Sequence, residues 1–290
     1  MKTYPWLVRR EFWENRAIWI VPCAIGVALT LAVLFGRVDI AAVAAPDQTR
    51  VIGGAALFGY GFIFFAVMTL YSSWYLLDCL YADRKDRSVL FWKSLPISDT
   101  ATVLAKLFTG LIAIPVVYFI AADVSTLLMA FIVSVRAHSS LGGALWQPDL
   151  WLQLQILWVY LIFTTAIWYL PFAGWFLVVS AWAKRAVMLW SVLPPLALYL
   201  LERWFVGTHW VGTLLEERTV GYVRAFHEWS DPSAWVQTVI DKDTITTPKS
   251  IWSVIAPADF FSSGATWAGL AVGVLFIAAA IQLRLRRTEI

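Results

Sequence analysis

The sequence predicts an all-α membrane protein with six transmembrane helices. Three observations lead there. Hydrophobic residues make up 60% and charged residues 14% of the 290 positions, against roughly 45–50% and 25% in soluble domains. Apolar runs long enough to cross a bilayer recur along the chain. The charged residues gather where those runs end. Residues 1–290 read as a single transmembrane domain, with an amphipathic interfacial helix at its start and short external or re-entrant helices before the last span.

Residues 1–16 do not read as a cleaved signal peptide, because no small-residue cleavage site follows a short apolar core. Pro5 suits a helix start. Trp6, Phe12 and Trp13 alternate with Arg9, Arg10, Glu11 and Glu14. That pattern predicts an interfacial helix with aromatics at headgroup depth and charges in water. The first span is expected over 17–35 and a loop over 36–50. The second span is expected over 51–77, with Asp78 at its exit. Gly53, Gly54, Gly59 and Gly61 lie in it. They either allow close helix packing or reflect the frequency of glycine in membrane helices.

Residues 81–100 form the longest charged interruption. Arg84, Lys85, Arg87 and Lys93 stand with Asp83 and Asp86, followed by the cluster Leu90, Phe91, Trp92. Leu95-Pro96 ends the run, and Ser98 or Asp99 can cap the next helix. The stretch reads as a short amphipathic helix, either a docking surface for a soluble partner or a polar loop that sets topology. The third span, 101–135, is longer than a bilayer needs, with Pro115 as its expected kink. Asp123 is a functional candidate as a carboxylate at membrane depth. The excess length moves it toward the outer interface, which favours a structural role.

A loop is expected over 138–150 and a fourth span over 151–182, with Pro171 inside. A short turn carries Lys184 and Arg185. The fifth span, 186–206, contains Pro194 and Pro195, which remove two backbone donors and bend the helix. They are a candidate hinge or a static kink, and sequence does not separate the two. The segment 207–263 is long and acidic, with a helix expected from Leu214. Residues 250–261 read as too short to span and interrupted by Pro257. The last span, 264–283, holds the pair Gly269 and Gly273, expected to pack within the chain.

Lysines and arginines concentrate on the side holding the chain start, 81–100, Lys106, Lys184, Arg185 and the arginines at 284–287. The positive-inside rule therefore predicts cytoplasmic termini, a cytoplasmic 81–100 and an external 207–263. Cys23 and Cys79 are too few for a disulfide framework and are expected as free thiols. The net charge of +3 is spread over membrane ends, which gives no nucleic-acid-binding face. No phosphate-binding loop, metal motif or nucleophile elbow is present in the sequence. No catalytic, cofactor or metal residue is assigned, and the chain is not expected to be an enzyme.

The N-terminal LVRREFWENR, the six spans and the loop DRKDRSVLFWKSLPISDT together resemble permease subunits of ABC-2-type ATP-binding-cassette transporters. The resemblance covers the whole chain in organisation and is sharpest at 83–100. It implies that this loop is a coupling helix, with Asp83, Arg84, Lys85, Arg87, Leu90, Phe91, Trp92 and Lys93 docking an ATPase. It further implies a second permease chain, identical or not, and separate ATPase subunits that bind ATP and Mg. The location implied is a bacterial cytoplasmic (inner) membrane. Spans with few charges and many aromatics suit export of a lipid-like, amphiphilic or peptide cargo. The rival classes are a secondary transporter and a membrane scaffold that transports nothing.

Overall fold

The computed structural model describes residues 3–36, 46–85, 98–137, 143, 145–225 and 255–286. Helices dominate these residues. They are α1 (Thr3–Glu14), α2 (Ala17–Phe35), α3 (Pro46–Lys85), α4 (Asp99–Phe108), α5 (Ile114–Ala137), α6 (Pro148–Trp168), α7 (Leu170–Trp182), α8 (Val187–Leu201), α9 (Trp210–Val220), α10 (Pro257–Ser262) and α11 (Gly264–Arg286). Among the described residues, five helical stretches are long and apolar enough to cross a membrane: Ala17–Phe35, Ala56–Lys85, Asp99–Arg136, Pro148–Trp168 and Gly264–Arg286. The chain is an integral membrane protein of the all-α class.

Several helix ends fall elsewhere than expected, each for a local reason. The helix α3 starts at Pro46 inside the expected loop, because proline fits a first helical turn. It also runs past Asp78 to Lys85, so Tyr81–Lys85 is its last turn rather than part of a separate helix. At 40 residues it is roughly 60 Å long, about twice the hydrocarbon thickness. Pro148 likewise opens α6 and Pro257 opens α10; each was expected in a loop or as an interruption. Ser98 is the cap of α4, its Oγ accepting from the Ala101 amide at 3.1 Å. The helix expected from Leu214 starts earlier, at Trp210, and tightens into a 3-10 turn over Gly221–Ala225.

The breaks inside the bundle have identifiable causes. Between α4 and α5 the chain makes a π-turn, Thr109–Ala113, closed by the Ile114 amide on the Thr109 carbonyl. Pro115 follows at once and has no amide to give the Leu111 carbonyl, so the extra residue re-spaces the ladder where an α-helix would lose a bond. Pro171 sits in the first turn of α7, and Tyr169 between α6 and α7 has φ −82° and ψ −8°. The expected fourth span is thus two helices.

Two apolar clusters hold the bundle. One joins Ile18, Leu76, Cys79, Val103, Tyr118, Leu177 and Ala280, from α2, α3, α4, α5, α7 and α11. The other joins Leu57, Met129, Trp158, Leu161, Trp168 and Phe260. Cys79 is buried and Cys23 exposed, and both are free. Near the second cluster Arg136 donates to the carbonyls of Val33 (2.6 Å) and Gly36 (3.1 Å), covering the C-terminus of α2. The short elements α9, the 3-10 turn and α10 lean on α6. Trp168 Nε1 donates to the Arg218 carbonyl at 2.8 Å, and Tyr160 Oη to the Ala225 carbonyl at 2.8 Å. Tyr222 Oη accepts from Thr165 and donates to the Leu161 carbonyl. Burial pushes its pKa up to about 12, so it stays a neutral donor at any physiological pH.

Glycines set the closest approaches. A Cβ on Gly174 of α7 would stand 2.8 Å from the Gly273 carbonyl of α11, and one on Gly273 would stand 2.8 Å from Leu170 Cγ. Gly269 makes room for the Arg218 side chain. The Gly269/Gly273 pair therefore packs within the chain, as expected. Gly61 accommodates the Trp158 ring, while Gly59 faces open space. Gly174→Ala is expected to destabilise the protein by about 1–3 kcal/mol through overpacking, and Gly59→Ala to leave it unchanged or slightly stabler. Thermal unfolding of both variants in detergent checks this.

Candidate functional site

At the end of the bundle where α3 stops and α4 starts, charged side chains from four helices meet out of water. Lys106, on α4, is the most enclosed, its side chain only 2% exposed. Its Nζ lies 3.0 Å from Glu11 Oε1 of α1 and 3.2 Å from Asp83 Oδ1 of α3. Asp83 turns its other oxygen to Arg284 Nη1 of α11, at 3.2 Å. Arg284 also holds Asp99, Nε to Oδ1 at 2.7 Å. Arg10 lies 3.5 Å from Asp83 and 3.0 Å from Glu14. Tyr75 Oη donates to Glu11 Oε2 at 2.7 Å.

This arrangement follows from helix periodicity. On α1, Leu7 and Glu11 are one turn apart and point inward together, while Trp6, Arg9 and Trp13 point outward. On α4, Asp99 lies in the first turn and Lys106 two turns further on, on the side that faces α1 and α3. Charges of both signs alternate around Asp83, so each buried ion has an opposite neighbour, which a low-dielectric site requires.

Arg84 is also committed within the chain. Its Nη2 donates to the carbonyls of Ser180 and, at 2.9 Å, Ala183. These are terminal carbonyls of α7, where a cation is favoured. Ser180 Oγ in turn accepts from the amides of Leu80 and Tyr81, both at 3.1 Å. The end of α3 is therefore fastened to the end of α7 as well as to α1, α4 and α11.

Of the docking residues expected from sequence, Asp83 is buried and ion-paired, Arg84 caps α7, and Lys85 is exposed. Arg87, Leu90, Phe91, Trp92 and Lys93 lie outside the described residues. Glu11 corrects the reading of α1: it was expected in water and is 2% exposed. The sequence places Lys106 only as a topology charge and Arg284 as a chain-end charge. The available signal was Lys106 itself, a lysine two turns into an apolar helix, which calls for a carboxylate partner.

Pro194 and Pro195 lie inside α8, which stays helical through them. Pro195 has no amide for the Ser191 carbonyl. Trp175 of α7 replaces it, its Nε1 donating to that carbonyl at 2.9 Å. The bend is thus pinned by a neighbouring helix. Beside it, α7, α8 and α9 border a groove of about 660 Å3. Phe172, Trp175, Phe176, Pro195 and Leu196 form its apolar side, and His209 and Glu216 lie toward α9. Asp123 is half-buried and accepts from Gln155 Nε2 at 2.8 Å, which joins α5 to α6.

No known family model, curated protein or solved structure matches this chain. The fold defines the class, an integral membrane protein of packed helices. Among the described residues no group of three or more His, Cys, Asp or Glu side chains is placed to hold a metal ion.

Lys106→Met would leave the Glu11 and Asp83 carboxylates with Arg10 alone as their shared cation. The expected loss is about 3–5 kcal/mol, the cost of breaking one partner out of a buried ion pair. Lys85→Met, on an exposed side chain, is expected to stay within about 0.5 kcal/mol of the parent. Thermal unfolding of purified protein in detergent separates the two.

Proposed function

We propose that this chain is the permease subunit of an ATP-binding-cassette transporter of the ABC-2 type, driven by separate ATPase subunits that dock on residues 86–97. One observation carries the reading. Both ends of that segment are clamped: Asp83 just before it and Asp99 just after it share Arg284, and Asp83 also holds Lys106 and Arg10. A push on the segment would reach α1, α3, α4 and α11 together, and α7 through Arg84. A polar loop that only sets topology has no need of such a base.

The full reading has six crossings, the fifth running through α8 and the π-turn Glu202–Val206. The fourth crossing joins α6 and α7. The termini, 86–97 and the Lys184-Arg185 turn then share the cytoplasmic side, and α9 and α10 lie outside. Leu90, Phe91 and Trp92 supply the apolar anchors of the docking surface, and Lys85, Arg87 and Lys93 its charged rim. Asp83 and Arg84 transmit force from inside the protein rather than touch the ATPase. The groove beside α8 has an apolar wall and a polar end, which suits an amphiphilic or lipid-like cargo. A second permease chain completes the path, and the membrane is a bacterial cytoplasmic one.

A second reading, a secondary transporter, draws on the closeness of two helix breaks. Gly110 and Leu111 of the π-turn border the same small cavity as Tyr169 between α6 and α7, and broken helices mark the sites of such carriers. It predicts transport driven by an ion gradient without ATP.

Two experiments test the proposal. With Cys23 replaced by serine, a cysteine at Lys184 is expected to react only from the cytoplasmic side and one at Glu216 only from outside. Reaction of both from one side removes the six-span arrangement. The second compares the parent with Phe91→Ala/Trp92→Ala in detergent-extracted complex at matched expression. Loss of about 1–3 kcal/mol of assembly energy per central anchor is expected, read as reduced ATPase copurification and reduced transport-linked ATP hydrolysis. Unchanged values for both readouts eliminate docking through these side chains.

A further inference from the structure

On α1, two neighbouring arginines have opposite fates. Arg10 is turned into the ion cluster, where it meets Glu11, Glu14 and Asp83. Arg9 points outward and pairs with no carboxylate among the described residues. Its guanidinium sits instead over the rings of Trp6 and Trp13, at 5.3 and 5.6 Å from their centres. Both indoles are more than half exposed, at 63% and 71%. A cation flanked by two rings keeps a fixed direction without being neutralised, because the rings attract charge but do not cancel it.

Beside Arg9 the surface is concave. Tyr4, Pro5, Val8 and Phe12 of α1 and Phe108 at the end of α4 border an open crevice of about 550 Å3, with Arg9 at its rim. Its walls are almost entirely carbon, and Tyr4 and Arg9 alone among its lining residues carry polar side-chain atoms. The volume falls within the roughly 300–1,000 Å3 typical of small-molecule sites. A hydrocarbon slot with one unneutralised cation at its mouth, between an interfacial helix and a spanning one, matches a molecule with an acyl chain below an anionic phosphate. Exposed tryptophans place that mouth at headgroup depth.

We propose that the α1–α4 crevice is a binding site for an anionic phospholipid of the surrounding membrane. The acyl chain lies along Val8, Phe12 and Phe108, and the headgroup phosphate meets the Arg9 guanidinium, with the Tyr4 hydroxyl as a second donor. The ion cluster holds the opposite face of α1, through Glu11 and Arg10, so the crevice keeps its shape whether or not lipid is bound. Occupancy would favour this seated position of α1. The site stands independently of the transporter reading, since it uses neither residues 86–97 nor any partner chain.

The test is native mass spectrometry of delipidated protein titrated with palmitoyl-oleoyl phosphatidylglycerol or the corresponding phosphatidylcholine. The parent is expected to retain phosphatidylglycerol in preference to phosphatidylcholine. Arg9→Gln is expected to weaken that retention about fivefold, as loss of one basic residue near an anionic headgroup implies. Arg16→Gln removes the same charge from an exposed position at the start of α2 and is expected to leave retention unchanged. Val8→Trp fills the crevice while sparing every charge, and is expected to lower retention too. Tryptophan fluorescence and thermal unfolding of each variant confirm that α1 stays seated. Equal loss in Arg9→Gln and Arg16→Gln, full retention in Val8→Trp, or competition by inorganic phosphate alone at the same concentration would each overturn the lipid site.

Discussion

The bundle depends on giving each enclosed charge an opposite neighbour where water does not reach. Lys106 states the constraint most sharply. An ammonium enclosed by protein is tolerable only beside opposite charge, and Glu11 and Asp83 provide it from two other helices. Because those partners come from residues far apart in the chain, satisfying one lysine fixes where α1, α3 and α4 end relative to one another. Arg284 extends the same logic to α11. The cluster therefore contributes geometry more than net stability, since well-packed apolar residues often match or exceed a buried ion pair.

Backbone groups obey the same constraint. Three of the prolines within the bundle show different answers to the lost donor. At Pro115 the chain inserts an extra residue in a π-turn. At Pro171 the helix ends and restarts. At Pro195 an indole from α7 supplies the missing hydrogen. The third answer comes from another helix, so the bend in α8 and the position of α7 are set together. Movement of α8 about this bend would have to carry Trp175 with it or release the Ser191 carbonyl.

Features written into a short window of sequence were legible. The Ser98 cap, the amphipathic α1, the close packing at Gly273 and the membrane class follow from neighbouring residues or from composition. Pro148 and Pro257 show the limit of that reading. The same residue starts a helix or breaks one, and the choice depends on which surface the next turn can bury. The site was less legible. Counting charges by side places Lys106, Asp83 and Arg284 at one end of the bundle but says nothing of pairing, because the contact joins positions that α-helical periodicity cannot relate. By sequence Glu11 reads as a water-facing charge, because its neighbours Arg10 and Glu14 fit that pattern. Only the packing of α1 against α4 turns it inward. Residues 86–97, Leu90, Phe91 and Trp92 among them, lie outside the described residues.

Arg284 reaches both Asp83 and Asp99, and it belongs to α11, which is made after every other described helix. Until α11 is inserted, those two carboxylates have lost a shared cation in a site already partly formed by Lys106 and Arg10. The clasp thus closes only after α11 has been made. A chain stalled or truncated before residue 284 carries an acidic, under-neutralised seam at the end of its bundle. That seam distinguishes copies that lack α11 from copies that have it.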